Sequence, residues 1–344
     1  MRFILIIGII ITLGFISFIL TYFVMHFAVR NKMMVIPNER SLHDIPTPKV
    51  GGIAIVLSWY IGITFLYFSG ILEKTLYFAL LCGVLLAIVS LIDDLIGLKP
   101  VIRLIIHFIT AISAFYFMGG LRQLVLPEIH INYNYIVYPL AILGMVWFIN
   151  LFNFMDGVDG FASIEVICIC SVLFVMSWNL INILLIACVS GFLYWNWPKA
   201  RIFMGDVGST QLGFILVVLG IYYHNTYEFS ILNWIMLSSP FWFDATLTLF
   251  RRWRNREKLS EAHRKHVYQR IVQAGFSHEK VNIFLILINL FIIFLIIIYR
   301  EIKILQIPLF VLSLAFFYLI TKRVDRKVPF TNGKESSILP RPND

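Results

Sequence analysis

Charge is scarce in this chain. Asp, Glu, Lys and Arg make up 14% of its 344 residues, whereas 60% are hydrophobic and the mean hydropathy is +0.85; soluble domains carry roughly 25% charged residues. That scarcity excludes the two soluble domains the length would otherwise suggest and favours one helical bundle with short connections. Cysteine is scarcer still. Cys82, Cys168, Cys170 and Cys188 all lie inside apolar runs without metal-ligand spacing, so neither disulfides nor zinc are expected. Acidic residues are also the minority, 19 against 28 Lys and Arg, for a net charge of +9. The basic excess sits in loops between apolar runs and not on a folded basic domain. Membrane orientation accounts for it, and no nucleic-acid partner is expected.

What is present is a series of apolar runs. The first, Phe3 to about Ala28, has one preceding Arg and no small-residue cleavage pattern, so it reads as a retained anchor and not a removed signal peptide. Others fall at about 50–70, 74–92, 101–118, 135–152, 160–178, 180–195, 207–224, 231–250, 281–299 and 303–320, with the least sharp break at Trp178-Asn179. The expected fold is all-α: a polytopic membrane helical bundle of about 10–11 transmembrane helices. Residues 1–320 form one integral membrane domain and 321–344 a basic, flexible tail.

Alternating the loops from side to side places all of the 28 basic residues on one face except Arg2, Lys74, Arg122, Arg300 and Lys303. By the positive-inside rule that face is cytoplasmic, the N-terminus is outside and the C-terminus inside. Asp93, Asp94, Asp156, Asp159, Asp206, Asp244, His263 and His266 fall on the same face, through loops 29–49, 93–103, 153–160, 196–206 and 251–280. A site there meets cytoplasmic substrates at the depth of lipid head groups.

The densest polar stretch, NLFNFMDGVDG at 150–160, spaces Asn150, Asn153, Asp156 and Asp159 at intervals of three. That spacing stacks the first groups on one helical face, and Gly157 and Gly160 then let the backbone turn, so oxygen ligands can converge on a hard cation and its phosphates. Capping of helix ends by Asp159 and Asn153 explains part of the pattern. An EF-hand is excluded, because no acid follows at the required position. In TPKVGG, Lys49 beside Gly51-Gly52 suits an anion held by an ammonium and exposed backbone N–H groups, or simply stops the second span from sliding. LIDDLIGL puts Asp93 and Asp94 about 100° apart at a span end, able to reach different partners, and acids so placed are expensive unless paired or solvated. Arg103 follows, positioned for a lipid phosphate or for ordinary anchoring. In FMGDVGS, Asp206 between glycines at a helix start suits a metal ligand beside free N–H groups, or a plain N-cap. Asp244 is a weaker candidate, able to pair with Arg251 or Arg252. In the 251–280 loop, Ser260 can cap a short helix on which His263 and His266 share a face, with Arg264, Lys265 and Arg270 adding charge. Such a cluster receives a diphosphate, or lies on anionic head groups.

TPKVGG, LIDDLIGL, NLFNFMDGVDG, FMGDVGS and HRKHVYQRI, in that order between Val35 and Arg270, resemble the polyprenyl-phosphate N-acetylhexosamine-1-phosphate transferase family. The resemblance implies transfer of a sugar-1-phosphate from a UDP-N-acetyl sugar to undecaprenyl phosphate with release of UMP, dependent on Mg2+ or Mn2+, in the bacterial inner membrane. It implies catalytic roles for Asp93, Asp94, Asp156, Asp159, His263 and His266. Substrate contacts fall to Lys49, Arg103, Asn150, Asn153, Arg264 and Arg270, and metal ligation to Asp206 and Asp156. Two consecutive aspartates and split histidines resemble the O-antigen-initiating branch more than the phospho-MurNAc-pentapeptide translocase branch, which carries three of each. The translocase is the alternative within the family; a transporter or lipid-linked sugar flippase, or an inactive scaffold, is the alternative outside it. The sequence is compatible with a homodimer.

Overall fold

In the computed structural model the chain is almost entirely helical; the structure describes residues 2–37, 42–43, 45–122, 124–126, 129–131, 134–259, 261 and 263–330. Helix α1 (Arg2–Arg30) leads into an antiparallel ribbon, β1 (Met34–Val35) against β2 (Thr47–Pro48). Then come α2 (Gly52–Phe68), α3 (Lys74–Leu81), α4 (Gly83–Ile96) and α5 (Pro100–Phe117). A second ribbon, β3 (Leu124–Leu126) against β4 (Ile129–Ile131), precedes α6 (Asn134–Phe154), α7 (Phe161–Ser177), α8 (Leu180–Asn196) and α9 (Asp206–Asn225). The remainder is α10 (Ile231–Leu237), α11 (Ser239–Arg254), α12 (Val267–Gln273), α13 (His278–Glu301) and α14 (Gln306–Lys327).

Seven segments among the described residues are long and apolar enough to cross a membrane: α1, the α3–α4 unit, α5, α6, α9, α13 and α14. Helices α2, α7 and α8 are apolar and 17 residues each, about 25 Å at 1.5 Å per residue, the lower end of what spans a hydrocarbon core. The run at 231–250 is two helices, because Ser238 ends α10 and Pro240 opens α11. The break at Trp178 is a true helix end. Trp178 turns left-handed with φ +51°, and Asn179 restarts the chain by accepting the Ile181 N–H on its side chain. The expected flexible tail is helical as far as Lys327; residues 331–344 lie outside the described residues.

Helix α9 is the axis of the bundle. Its apolar window is wholly buried, and it packs against α4, α6 and α2. The crossing with α2 is set by two glycines: a Cβ on Gly52 would stand 2.3 Å from the Gly208 Cα, so only glycine allows the backbones to approach this closely. Outer helices turn apolar side chains such as Ile105, Ile109 and Ile112 of α5 outward, as lipid requires. The polar groups gather at one end, where α9 begins and α4 and α6 finish.

Candidate active site

The start of α9 is held by an acid from another helix. Gly205, at φ +74°, turns the chain so that the Asp94 carboxylate lies against it and accepts the Val207 N–H at 3.0 Å. The first helical N–H groups are therefore not left free for phosphate, which corrects the expectation for FMGDVGS. Asp93 points elsewhere, as adjacent helical residues must. One of its oxygens accepts the Leu98 N–H at 2.6 Å and the other pairs with Arg103 at 2.7 Å. Arg103 Nη1 also reaches Asp206 at 3.1 Å, so one guanidinium bridges two carboxylates.

The TPKVGG segment pairs with the segment before α9. Gly51 and Gly52 donate their N–H groups to the Phe203 and Met204 carbonyls at 2.9 and 2.8 Å, and Phe203 donates to Pro48. An anion held by those two glycine N–H groups is thereby overturned. Lys49 nevertheless lines the same cavity as Asp94, Asp156 and Asp206.

Asn150 back-bonds to the Val146 carbonyl, while Asn153 accepts the Ser209 hydroxyl at 2.7 Å, tying α6 to α9. Asp159 is taken up by its surroundings: its carboxylate accepts the Ala200 N–H at 3.1 Å and lies 3.0 Å from His278 Nδ1. His278, the first residue of α13, also lines the cavity, and the sequence reading missed it. A histidine directly after the N-cap Ser277 was the available signal. The Asp156 carboxylate accepts no hydrogen bond among the described residues. Desolvation by the cavity walls, reinforced by the charges of Asp206, Asp159 and Asp94, pushes it well above the usual carboxylate range.

The histidine segment is not the expected helix. His263, Arg264 and Lys265 lie in neither helix nor strand, α12 starts only at Val267, and Ser260 lies outside the described residues. The two rings still come together, with centroids 4.9 Å apart. His263 Nδ1 accepts the Lys265 N–H at 3.2 Å, so the neutral ring carries its proton on Nε2. Burial, with the charges of His266, Arg252 and Lys265, pushes the His263 imidazole down to about 3. Asp244 pairs with neither Arg251 nor Arg252; it caps α12 by accepting the Val267 and Tyr268 N–H groups at 2.9 and 3.2 Å.

Two of the expected substrate contacts are not at the site. Arg270 is 2% exposed, ion-paired with Asp325 at 2.7 Å and bonded to the Val328 carbonyl. It braces α12 against α14, since a buried guanidinium needs a charged partner. Arg264 lines neither cavity of the site.

The remaining residues enclose two adjoining cavities. One, about 430 Å3, is walled by Lys49, Asp94, Asp156, Asp159, Met204 and His278 among others. The second, about 460 Å3, is walled by Ser90, Arg103, His107, Asn150, His263 and His266 among others. Asn153, Asp206 and Gln269 line both, forming a shared wall. Among the described residues no three His, Cys, Asp or Glu side chains converge closely enough to hold a metal ion.

Residues 76–224, the stretch that carries Asp93, Asp94, Arg103, Asn153, Asp156, Asp159 and Asp206, match glycosyl transferase family 4. That match, with the relatives that follow, supports a phospho-sugar transferase enzyme. A probable undecaprenyl-phosphate N-acetylglucosaminyl 1-phosphate transferase of Bacillus subtilis is 29% identical, over 83% of this chain and 87% of its own. A decaprenyl-phosphate N-acetylglucosaminephosphotransferase of Mycobacterium leprae is 28% identical, over 78% of each. A phospho-N-acetylmuramoyl-pentapeptide-transferase of Streptococcus pneumoniae is also 28% identical, over 54% of this chain and 63% of its own.

Proposed function

We propose that this enzyme transfers N-acetylglucosamine 1-phosphate from UDP-N-acetylglucosamine to undecaprenyl phosphate. It would thereby open O-antigen or another cell-envelope polysaccharide from the cytoplasmic face of the inner membrane. The observation that carries the reading is the pair of cavities with one wall in common. A two-substrate transfer between polyanions needs two anion-accepting chambers that meet at the reacting atoms. The N-acetylglucosamine donor is favoured over the pentapeptide donor because the relatives named for the former align over most of this chain. The basic residues, concentrated on one side of the bundle by loop alternation, support a cytoplasmic site.

In the transfer, an oxygen of the lipid phosphate bonds to the phosphorus that bears the sugar, and the bridging bond to UMP breaks. A phosphate monoester has its second pKa near 6, so the acceptor is already largely ionised at neutral pH. The chain's task is then positioning and charge neutralisation. In this reading the 430 Å3 cavity, lined by Lys49 and His278, takes the donor, and Arg103, held in place by Asp93 and bonded to Asp206 of the shared wall, lines the other. With both its oxygens engaged, Asp93 serves as the positioning residue for Arg103. His263, neutral with its proton on Nε2, is a hydrogen-bond donor.

Asp156 and Asp206 fit a divalent cation, Mg2+ or Mn2+: the donor set is all oxygen, and the Asp156 carboxylate is crowded by three like charges without a counter-charge of its own. When bound, such an ion supplies charge neutralisation for the donor diphosphate. The test is transfer of radiolabel from UDP-N-acetylglucosamine into a chloroform-soluble lipid, with and without EDTA and with a panel of UDP-sugars. Label in the lipid that EDTA removes is expected. No transfer from any UDP-sugar, by wild-type protein supplied with undecaprenyl phosphate and Mg2+, would overturn the reading.

A further inference from the structure

We propose that His107 is a binding residue for the acceptor phosphate, one helical turn further along α5 than Arg103. The inference rests on the transferase reading above. Helix α5 carries Arg103, His107 and Thr110 at i, i+4 and i+7, a polar stripe on a largely apolar helix. Ile102, Leu104, Ile105, Ile109 and Ile112 are exposed, whereas His107 and Thr110 are 5% and 1% exposed. His107 lines the 460 Å3 chamber.

The chamber's other polar groups are mostly spoken for. Ser90 and Thr210 bond each other at 2.9 Å, Asn153 accepts from Ser209, and Arg103 is held between Asp93 and Asp206. His107 Nδ1 is buried and has no hydrogen-bond partner among the described residues, the ring's polar neighbour being the Asn150 side chain; His266 Nδ1, by contrast, lies 3.7 Å from the Asp244 carboxylate. A buried nitrogen left without a hydrogen-bond partner is costly. With its proton on Nδ1, His107 stands beside the Arg103 guanidinium on the same face of α5 as a second donor, and the component this pair lacks is an acceptor of hydrogen bonds. A phosphate monoester supplies several anionic oxygens to such donors. Asp206 and Glu261 also line the chamber, and Arg103 is the one Lys or Arg among its described lining residues, so the anionic end of the ligand must sit on the Arg103 side. The head group of a lipid phosphate meets that description, since its hydrocarbon can remain outside among the exposed isoleucines of α5.

The test uses the full-length enzyme in nanodiscs with three proteins: wild type, His107→Ala and His107→Gln. Undecaprenyl phosphate is varied at saturating UDP-sugar, and UDP-sugar at saturating lipid. The expected result is an acceptor KM about tenfold higher in His107→Ala, with the donor KM within about twofold of wild type, and partial recovery in His107→Gln, whose amide can still donate. An unchanged acceptor KM in His107→Ala, or equal rises in both KM values with a lowered melting temperature, would overturn the role while leaving the transferase reading intact. A wild-type protein that transfers nothing sinks both.

Discussion

Asp94 and Val207 are joined by a hydrogen bond of 3.0 Å across 113 residues of chain: the acid near the end of α4 caps the helix that carries Asp206. A cap supplied from another helix makes the position of Asp206 a property of the α4–α9 contact. Replacing Asp94 by Ala removes the acceptor and is expected to cost about 1 kcal/mol in stability. Turnover should fall much further, by tenfold or more, because Gly205 and Asp206 lose their registration on the shared wall. Asp94→Asn keeps an acceptor oxygen and should retain more of both. Thermal unfolding and UMP release, measured on the same preparations, check the split; a stability loss without the larger rate loss would contradict it.

Gly52→Ala forces a Cβ to within 2.3 Å of the Gly208 backbone. Since neither backbone can move without separating α2 from α9, the expected outcome is a loss of about 2–3 kcal/mol or failure to accumulate in the membrane. Expression level and melting temperature in detergent are the measurements. Gly8, whose added Cβ would meet nothing within 4 Å, is the control, and Gly8→Ala should be close to neutral.

Asp325→Ala leaves Arg270, 2% exposed, without its carboxylate partner, and also releases Arg251 from a two-pronged contact at 3.0 Å. Breaking such a pair from one side costs about 3 kcal/mol, since the stranded charge stays buried. Proteolysis should then cut first near α12 and the end of α14. Wild-type protease resistance in this variant would argue against the brace.

His263 has a pH signature of known sign. Its folded value, about 3, lies below the roughly 6.5 of an unfolded histidine, so the unfolded chain binds the extra proton first. Its contribution to stability is complete above about pH 6.5 and is lost progressively as pH falls toward 3. His263→Gln should flatten the acid side of the stability curve over that window. The variant should leave the shape of the rate profile between pH 7 and 9 unchanged, because the ring is neutral throughout.

The helices and the grouping of most acids at one end were legible in the sequence, because apolar runs of 17 or more residues and intramembrane acids are signals that single residues carry. Which groups remain available for a ligand was not. The Gly51 and Gly52 N–H groups are consumed by Phe203 and Met204, Asp159 by Ala200 and His278, and Arg270 by Asp325. Each partner is distant in the chain, so no local pattern reveals the pairing. The histidine segment misled because i, i+3 spacing suggests a helical face, while here an irregular segment brings the same rings together. His107 was passed over because a lone histidine in an apolar run resembles a core residue until its neighbours Arg103 and Thr110 are placed on one face.

Helix α9 has the lowest hydropathy of the seven membrane-length segments, 1.3, and is the only one of them buried throughout. Its glycines, Ser209, Thr210 and Gln211 suit contact with protein better than contact with lipid. All three helices that enclose it most closely, α2, α4 and α6, precede it in the chain. During synthesis the membrane therefore already holds a cradle when α9 emerges, and α9 can leave the insertion machinery for protein without a stable stay in lipid. The step that seats this helix also brings Asp206 to the wall shared by the two cavities, before the segments that carry His263, Gln269 and His278 have followed.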